Sequence, residues 1–217
     1  SNTGLTWGAT NTITLTATNG TVLYTPSASA TMTVFTSIAL GGTNSVTGNP
    51  SKFDAGNGVI RFYDGAALTI ADGAVLTNAC EVTFGPSKSG IVPPSIVTIT
   101  NGGTWYAATN DVVVGAGQLS PSRKAVGNTV TLAGAHPVTG RKSKWDLGGG
   151  GLIIGWESDS TCTATQNVVT VSGGGIITNA ATISLGYGQG GDFNSFFVTN
   201  GGYVHSFAAD IGVMGRS

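Results

Sequence analysis

Asn167-Val-Val-Thr-Val-Ser-Gly-Gly-Gly175, closed further on by Ile183-Ser-Leu-Gly186, is followed by a near copy of itself. The copy reads Asn194-Ser-Phe-Phe-Val-Thr-Asn-Gly-Gly202 and closes with Asp210-Ile-Gly212, so the two leading asparagines lie 27 residues apart. A fixed period of this length is typical of repeat proteins, in which each unit buries its apolar face against its neighbours. The pair therefore predicts a repeat architecture.

The same order of short segments can be traced back to about residue 58. Each copy starts with an apolar-polar-apolar segment before a glycine-containing turn, at residues 68–70, 97–99, 130–132, 169–171 and 196–198. Each copy ends with a segment whose last residue is glycine, at residues 82–85, 112–115, 152–155, 183–186 and 209–212. A third candidate strand lies between them in four copies, at residues 74–76, 104–106, 176–177 and 203–204.

Three short strands per copy, joined by Gly- and Asn-rich corners, predict an all-β fold, a parallel β-helix (β-solenoid) with about five readable coils. Strands of successive coils lie about 4.8 Å apart, so equivalent residues form columns. One inward column is predicted to contain Leu68, Val97, Val130, Val169 and Phe196. A second is predicted to contain Ile70, Ile99, Leu132, Val171 and Val198. An outward column is predicted at Thr69, Thr98, Thr131 and Thr170, with Phe197 in the last copy.

An antiparallel β-sandwich is the alternative all-β fold, because it also needs many short strands and glycine-rich turns. It does not explain why the same order of segments recurs five times, so the solenoid is favoured. Residues 1–57 are less regular and are predicted to form an N-terminal cap or assembly segment, with the solenoid repeats at 58–217. Within that segment Thr12, Ile13, Thr14 and Leu15 alternate as in a half-buried strand.

The composition is unusually poor in charge, with 9% charged residues, 35 glycines and a net charge of −1 in 217 residues. Globular domains carry roughly 25% charged residues. Such a chain has no positive electrostatic field that would attract nucleic acid or an anionic membrane. It also lacks the run of about 18 apolar residues that spans a bilayer. Low charge with abundant Thr, Ser, Asn and Gly is typical of exported bacterial surface proteins, which predicts an extracellular or cell-surface location.

Copy length varies mainly after the closing glycine, with inserts at residues 86–94, 116–127, 156–166 and 187–193 and a further excursion at 136–150. Insertions that recur at one corner of a solenoid often form its binding edge. The aromatic residues of these segments are candidates for stacking on surface glycans: Trp145, Trp156, Tyr187 and Phe193. Equally, the inserts could simply cover the side of the solenoid. The basic cluster at 141–145 is interpreted as a solvated loop, with a sugar or anion contact as the lesser alternative.

Few residues of the sequence are arranged as catalytic or metal-binding groups usually are. The acids are scattered, and Glu157 and Asp159 are the one close pair. His136 and His205 have no further ligand at metal-binding spacing, and Cys80 and Cys162 lie in different repeats, so a disulfide between them is not predicted. The sequence therefore predicts no enzyme, no catalytic residue, no cofactor and no metal.

The Val-Thr-Val-Ser-Gly-Gly-Gly and Phe-Val-Thr-Asn-Gly-Gly units resemble the Gly/Thr-rich repeats of autotransporter-type passenger domains and related bacterial surface proteins, over about residues 58–217. The resemblance implies a right-handed parallel β-helix of the pectin-lyase-like class in an extracellular setting. Because that class includes polysaccharide lyases and hydrolases, a carbohydrate-binding or polysaccharide-degrading protein that acts through its corner loops is the alternative function, with Glu157 and Asp159 as its candidate acids.

The favoured hypothesis is a non-enzymatic structural protein, a subunit of a cell-surface filament, layer or adhesin. The strands at the two ends of a solenoid carry unpaired backbone groups that invite stacking of another chain. The candidate assembly edges are Thr12, Ile13, Thr14 and Leu15 at one end and Asp210, Ile211 and Val213 at the other. The expected partner is a second copy of the chain, in a homo-oligomer or polymer, with no nucleic acid and no membrane span.

Overall fold

The computed structural model describes residues 4–7, 12–16, 31–34, 37–41, 52–85, 90–117, 123–157, 162–188 and 192–211. Within these residues all regular secondary structure is β-strand, and every ladder between the strands is parallel. The all-β prediction is confirmed. The antiparallel sandwich is excluded, because its neighbouring strands would run in opposite directions.

The strands form three rows. Row A contains β1 (Gly4–Trp7), β3 (Thr31–Val34), β6 (Val59–Tyr63), β9 (Glu81–Gly85), β13 (Val112–Gly117), β17 (Leu152–Glu157) and parts of β19 (Ile176–Tyr187) and β21 (Tyr203–Ile211). Row B contains β2 (Thr12–Thr16), β4 (Ser37–Gly41), β7 (Ala67–Ile70), β11 (Ile96–Thr100), β15 (Thr129–Ala133), β18 (Val168–Ser172) and β20 (Ser195–Val198). Row C contains β5 (Lys52–Asp54), β8 (Val75–Ala79), β12 (Thr104–Ala107), β16 (Lys144–Asp146) and the first residues of β19 and β21.

Each copy of the repeat passes through the rows in the order B, C and A. The strands β19 and β21 run from row C into row A without interruption, and this joins the two rows into one sheet of twelve strands. A short fourth pair, β10 (Gly90–Ile91) with β14 (Arg123–Lys124), lies in the inserts between rows A and B. The inward side chains of rows A, B and C share one hydrophobic core.

The register of row B confirms the predicted columns. Val97 pairs with Leu68 on one side and Val130 on the other, and the ladder continues to Val169 and Phe196. The second inward column and the threonine column are in register in the same way. Inward residues of the central copies are fully buried because their neighbours above and below cover them. In row B, the alternation of apolar and polar residues therefore predicts which side chains face inward and which residues pair between neighbouring strands.

Row C contains a strand that sequence analysis missed. The sequence predicts a loop excursion at residues 136–150, but residues 144–146 form β16, and Trp145 pairs with Trp105 and Ile177 in register. The prediction that Trp145 is a loop aromatic is wrong. Its side chain is fully buried and stacks on Trp105 with ring centroids 4.9 Å apart. Burial of two large rings in one column contributes strongly to a core of this size.

The turn between rows B and C explains the Asn-Gly-Gly signature of the repeat. Its two central residues have positive φ, as at Asn101 (49°) and Gly102 (75°), and the amide of Gly103 donates to the carbonyl of Thr100 at 2.9 Å. These are the features of a type I′ turn, which favours Asn-Gly. The glycine after the turn is required for another reason. A Cβ atom at Gly103 would overlap the carbonyl oxygen of Ile70 in the preceding copy.

A ladder of buried amides opens the row B strands of the later copies. Asn128 Nδ2 donates to Asn167 Oδ1 at 2.8 Å, and Asn167 Nδ2 donates to Asn194 Oδ1 at 2.9 Å. The closing glycines make room for this ladder, because a Cβ atom at Gly115 or Gly155 would overlap the side chain of Asn167 or Asn194. The closing glycine of one copy thus leaves the space that the leading asparagine of a later copy occupies.

Strands before residue 58 continue all three rows, with β5 pairing with β8 in row C. β3 pairs with β6 and β4 with β7, all parallel, while β1 and β2 pair with β3 and β4. In row B the ladder aligns Ile13 with Ile38 and Ile38 with Leu68, which is the first inward column. The predicted strand at residues 12–15 is therefore the first described strand of row B.

We expect Gly103→Ala to lower the free energy of unfolding by about 2–3 kcal/mol, because the new methyl group must displace backbone of the preceding copy. Gly201→Ala is the matched control. Gly201 has a positive φ of 75° but no atom within 4 Å of the added Cβ, so only the left-handed conformation is penalised, at about 1 kcal/mol. Urea unfolding of both variants checks this, and equal losses would contradict the close-contact explanation.

Asn167→Ala is expected to cost about 2–4 kcal/mol, because it removes the acceptor of the Asn128 main-chain and side-chain amides in a fully buried position. Thr131→Ala, on the exposed outward column, should change stability by no more than about 0.5 kcal/mol. Thermal and urea unfolding of the two variants measure the difference. A small loss in Asn167→Ala would mean that the ladder does not stabilise the stack.

Candidate binding groove

A groove of about 740 Å³ lies on the outward face of row A. Its floor is a column of the sheet in which Val113, Ile153 and Ser184 stand in register on three successive strands. These strands pair with neighbours on both sides, so the floor is a rigid surface. Residues 61 and 81, on β6 and β9, line the groove farther along the stack.

One wall of the groove consists of the corners between rows C and A. It is formed by residues 109–111, 149–151 and 181–182 from three copies. Gly151 N donates to Asp111 Oδ1 at 2.8 Å, which ties two of these corners together. A Cβ atom at Gly150 would overlap the carbonyl oxygen of Asn110, so the corners of these two copies pack in direct backbone contact. This wall presents amide and hydroxyl groups to the groove.

The opposite wall contains two of the aromatic residues that the sequence predicted as ligand contacts. Trp156 on β17 pairs in register with Tyr187 on β19, and both side chains line the groove. Tyr187 is 40% exposed, and Trp156 is half-buried. The structure does not bring the other two to the groove. Phe193 is 82% exposed and does not line it, and Trp145 is in the core.

The groove holds three charged residues that sequence analysis did not single out. Arg61 Nη2 lies 3.7 Å from Glu81 Oε1, and Asp111 carries the third charge. Arg61 and Glu81 are on adjacent strands, so their charges offset each other. The alternation of Val59-Ile-Arg-Phe62, apolar at the inward positions, is the sequence signal that places Arg61 on the outward face.

A second missed feature is a charged corner that occurs twice. Lys52-Phe-Asp-Ala-Gly56 and Lys144-Trp-Asp-Leu-Gly148 share one pattern, and both acids occupy the same column of row C. Asp146 accepts hydrogen bonds from Lys144 Nζ at 2.9 Å, Asn179 Nδ2 at 2.8 Å and Gly148 N at 3.1 Å. Burial alone would raise the pKa of Asp146, but these three donors outweigh it and hold the pKa below its usual value.

The basic cluster at 141–145 forms structural contacts within the described residues. Arg141 donates from its guanidinium to the carbonyls of Gly73 and Gly102, at 2.6 and 2.9 Å for Nη2. His136 Nδ1 accepts from the amides of Val138 and Thr139, which closes the hairpin that carries Arg141. The cluster thus fastens an excursion of the third copy onto two earlier copies.

The candidate acids for polysaccharide cleavage are not assembled in the described structure. Glu157 is 3% exposed, and its Oε1 accepts from Ala164 N at 2.5 Å, so this oxygen holds the insert that follows β17. Asp159 lies outside the described residues. Among the described residues no group of three or more His, Cys, Asp and Glu side chains is placed to bind a metal ion. No disulfide joins Cys80 and Cys162.

The candidate assembly edges lie at the two ends of the described rows. Residues 12–15 belong to β2, at one end of row B, and β20 is at the other end. Asp210 and Ile211 are on the last described strand, β21, and their backbones pair with Ser184 and Leu185 of β19. Val213 lies outside the described residues.

No protein-family model matches the chain, and neither a curated protein nor a solved structure shows a significant match to it. The resemblance to autotransporter-type repeats therefore stays a prediction. None of the described segments is a helix long and apolar enough to cross a membrane.

Because the pKa of Asp146 is lowered in the folded protein, its contribution to stability is present above the unfolded value of 3.8 and is lost as pH falls through the folded value. We expect Asp146→Asn to reduce the loss of stability between about pH 7 and about pH 3. Asp54→Asn, at the equivalent corner, should act in the same direction because the pKa of Asp54 is also lowered. Urea unfolding across this range checks both, and pH profiles identical to that of the parent protein would contradict the prediction.

Proposed function

We propose that the chain is a right-handed parallel β-helix and a non-enzymatic structural subunit of an extracellular filament, surface layer or adhesin, joined head to tail through the ends of its strand rows. The observation that carries this proposal is the match between the two ends of row B. The first described strand of row B, β2, and the last described one, β20, run in the same direction and belong to the same register.

A second copy stacked on β20 would continue every column of row B. Placing its β2 in register sets Ile13 beside Phe196 and Leu15 beside Val198, which repeats the pairing that Ile13 and Leu15 already have with Ile38 and Leu40. The contact joins two different surfaces of the chain, so it does not close on itself. Such a head-to-tail contact generates a linear polymer.

The last copy exposes apolar side chains whose equivalents are buried in earlier copies. Val198 is 45% exposed, whereas Val171 in the same column is fully buried. Phe196, in the other inward column, is only partly buried, whereas Val169 beside it is fully buried. A stacked neighbour would bury this surface and pair the open strand edge, and both effects favour association.

Electrostatics do not oppose this association, because the net charge is −1 and the row B strands contain no charged residue. The extracellular setting is supported by the low charge and by the resemblance to bacterial surface repeats. Against the polysaccharide-degrading alternative stands the burial of Glu157, whose carboxylate is engaged with backbone.

Negative-stain electron microscopy and light scattering of the purified chain test the proposal. We expect rods that lengthen with protein concentration. Val198→Lys places a charge in the exposed last position of an inward column and should leave discrete particles. Thr131→Lys, on the outward column of a central strand, is the control and should still polymerise. Discrete monomers of the parent chain at high concentration would refute head-to-tail assembly.

A further inference from the structure

We propose that the groove on row A binds a neutral, unbranched oligosaccharide that lies along the direction in which the strands stack. This is a ligand-binding function in addition to end-to-end assembly, and it uses the outward face of row A, whereas the proposed assembly uses the strand edges of β2 and β20 in row B. Four features of the groove support it: its aromatic wall, its polar wall, its charge and its length.

The aromatic wall provides two rings in line. Trp156 and Tyr187 are in register on adjacent parallel strands, so their backbones are about 4.8 Å apart along the stack. The face of an aromatic ring carries partial negative charge and attracts the C–H groups of a flat sugar ring, while the rest of the contact is apolar. Two such rings, one after the other, suit consecutive sugar units of one chain.

Apart from Asp111, the polar wall provides uncharged hydrogen-bonding groups. Asn110, Thr182 and Ser184 line the groove together with the backbone of residues 149–151. Hydroxyl and amide groups both donate and accept, as the hydroxyl groups of a sugar do. A binding site that combines an apolar surface with a few placed polar groups is the usual arrangement for small ligands.

The charge of the groove selects against acidic chains. Arg61 is matched by Glu81 at 3.7 Å, and Asp111 leaves an excess of one negative charge. An anionic ligand, such as a uronate chain or a nucleic acid, would meet this negative charge with no spare cation among the lining residues. Like-charge juxtaposition of this kind disfavours a partner. A neutral chain meets no such penalty.

The length of the groove indicates an extended ligand. Its lining includes Arg61 and Ser184, which stand at the two ends of one register column across five strands, about 19 Å apart at the usual strand spacing. An extended peptide fits less well, because peptides that lie along a sheet pair with an unpaired strand edge, and the strands under this groove are paired on both sides.

Titration calorimetry with cello-, xylo- and manno-hexaose and with an oligogalacturonate of the same length tests the proposal. We expect at least one neutral hexaose to bind and the acidic chain to bind more weakly. Tyr187→Ala should raise the Kd by about tenfold or more, and Trp156→Ala should do the same. Trp156→Phe should restore most of the affinity, because it restores a ring face.

Phe193→Ala is the control, since it removes an exposed aromatic ring outside the groove and should leave the Kd unchanged. Urea unfolding of each variant distinguishes a loss of affinity from a loss of folding. If Trp156→Ala does not fold, Tyr187→Ala still tests the proposal, because Tyr187 is more exposed than Trp156. No binding of any neutral hexaose, preference for the acidic chain, or an equal effect of Phe193→Ala would overturn the proposal. The Val198→Lys variant should bind as the parent does, which separates glycan binding from assembly.

Discussion

Each side chain in the three rows has, as its nearest neighbours along the stack, the side chains at the same position one copy before and one copy after. A charge repeated down such a column would face its own kind at about 4.8 Å, which is destabilising. Aliphatic, aromatic, hydroxyl and amide groups can instead pack on or hydrogen-bond with their own kind. Two examples of this packing of like on like are the stack of Trp105 on Trp145 and the amide ladder through Asn167. A chain with only 9% charged residues satisfies this rule.

The two acids of row C obey the same rule, because each is followed along the stack by an amide. Asp54 and Asp146 each accept a hydrogen bond from an asparagine of the following copy, Asn78 or Asn179. Variation is therefore confined to the outward positions and the corners, where a residue does not have to match its equivalents. The proposed groove lies on such a surface. Its lining differs from copy to copy, from the Arg61 and Glu81 pair to the rings of Trp156 and Tyr187.

Much of the fold was predictable because row B repeats its alternation closely enough for register to be derived from Leu68 to Val198. β16 was missed because the hairpin that carries His136 and Arg141 is inserted before it, so β16 does not follow its row B strand at the spacing seen in the other copies. In the groove, Trp156 and Tyr187 were predicted because both follow a closing glycine. Arg61, Glu81 and Asp111 were not, since they come from copies with dissimilar sequences and meet only when the strands stack.

The corner between rows A and B differs in kind from the corner between rows C and A. Its length changes from residues 64–66 in one copy to residues 118–128 in another while the rows on either side stay in register. In β19, by contrast, one unbroken strand crosses the other corner at Asn179 and belongs to two rows. The A–B corner is thus a permissive site, and foreign loops grafted there would emerge one above another in a single line. The same chain that stacks its own copies is therefore suited to multivalent display along one edge.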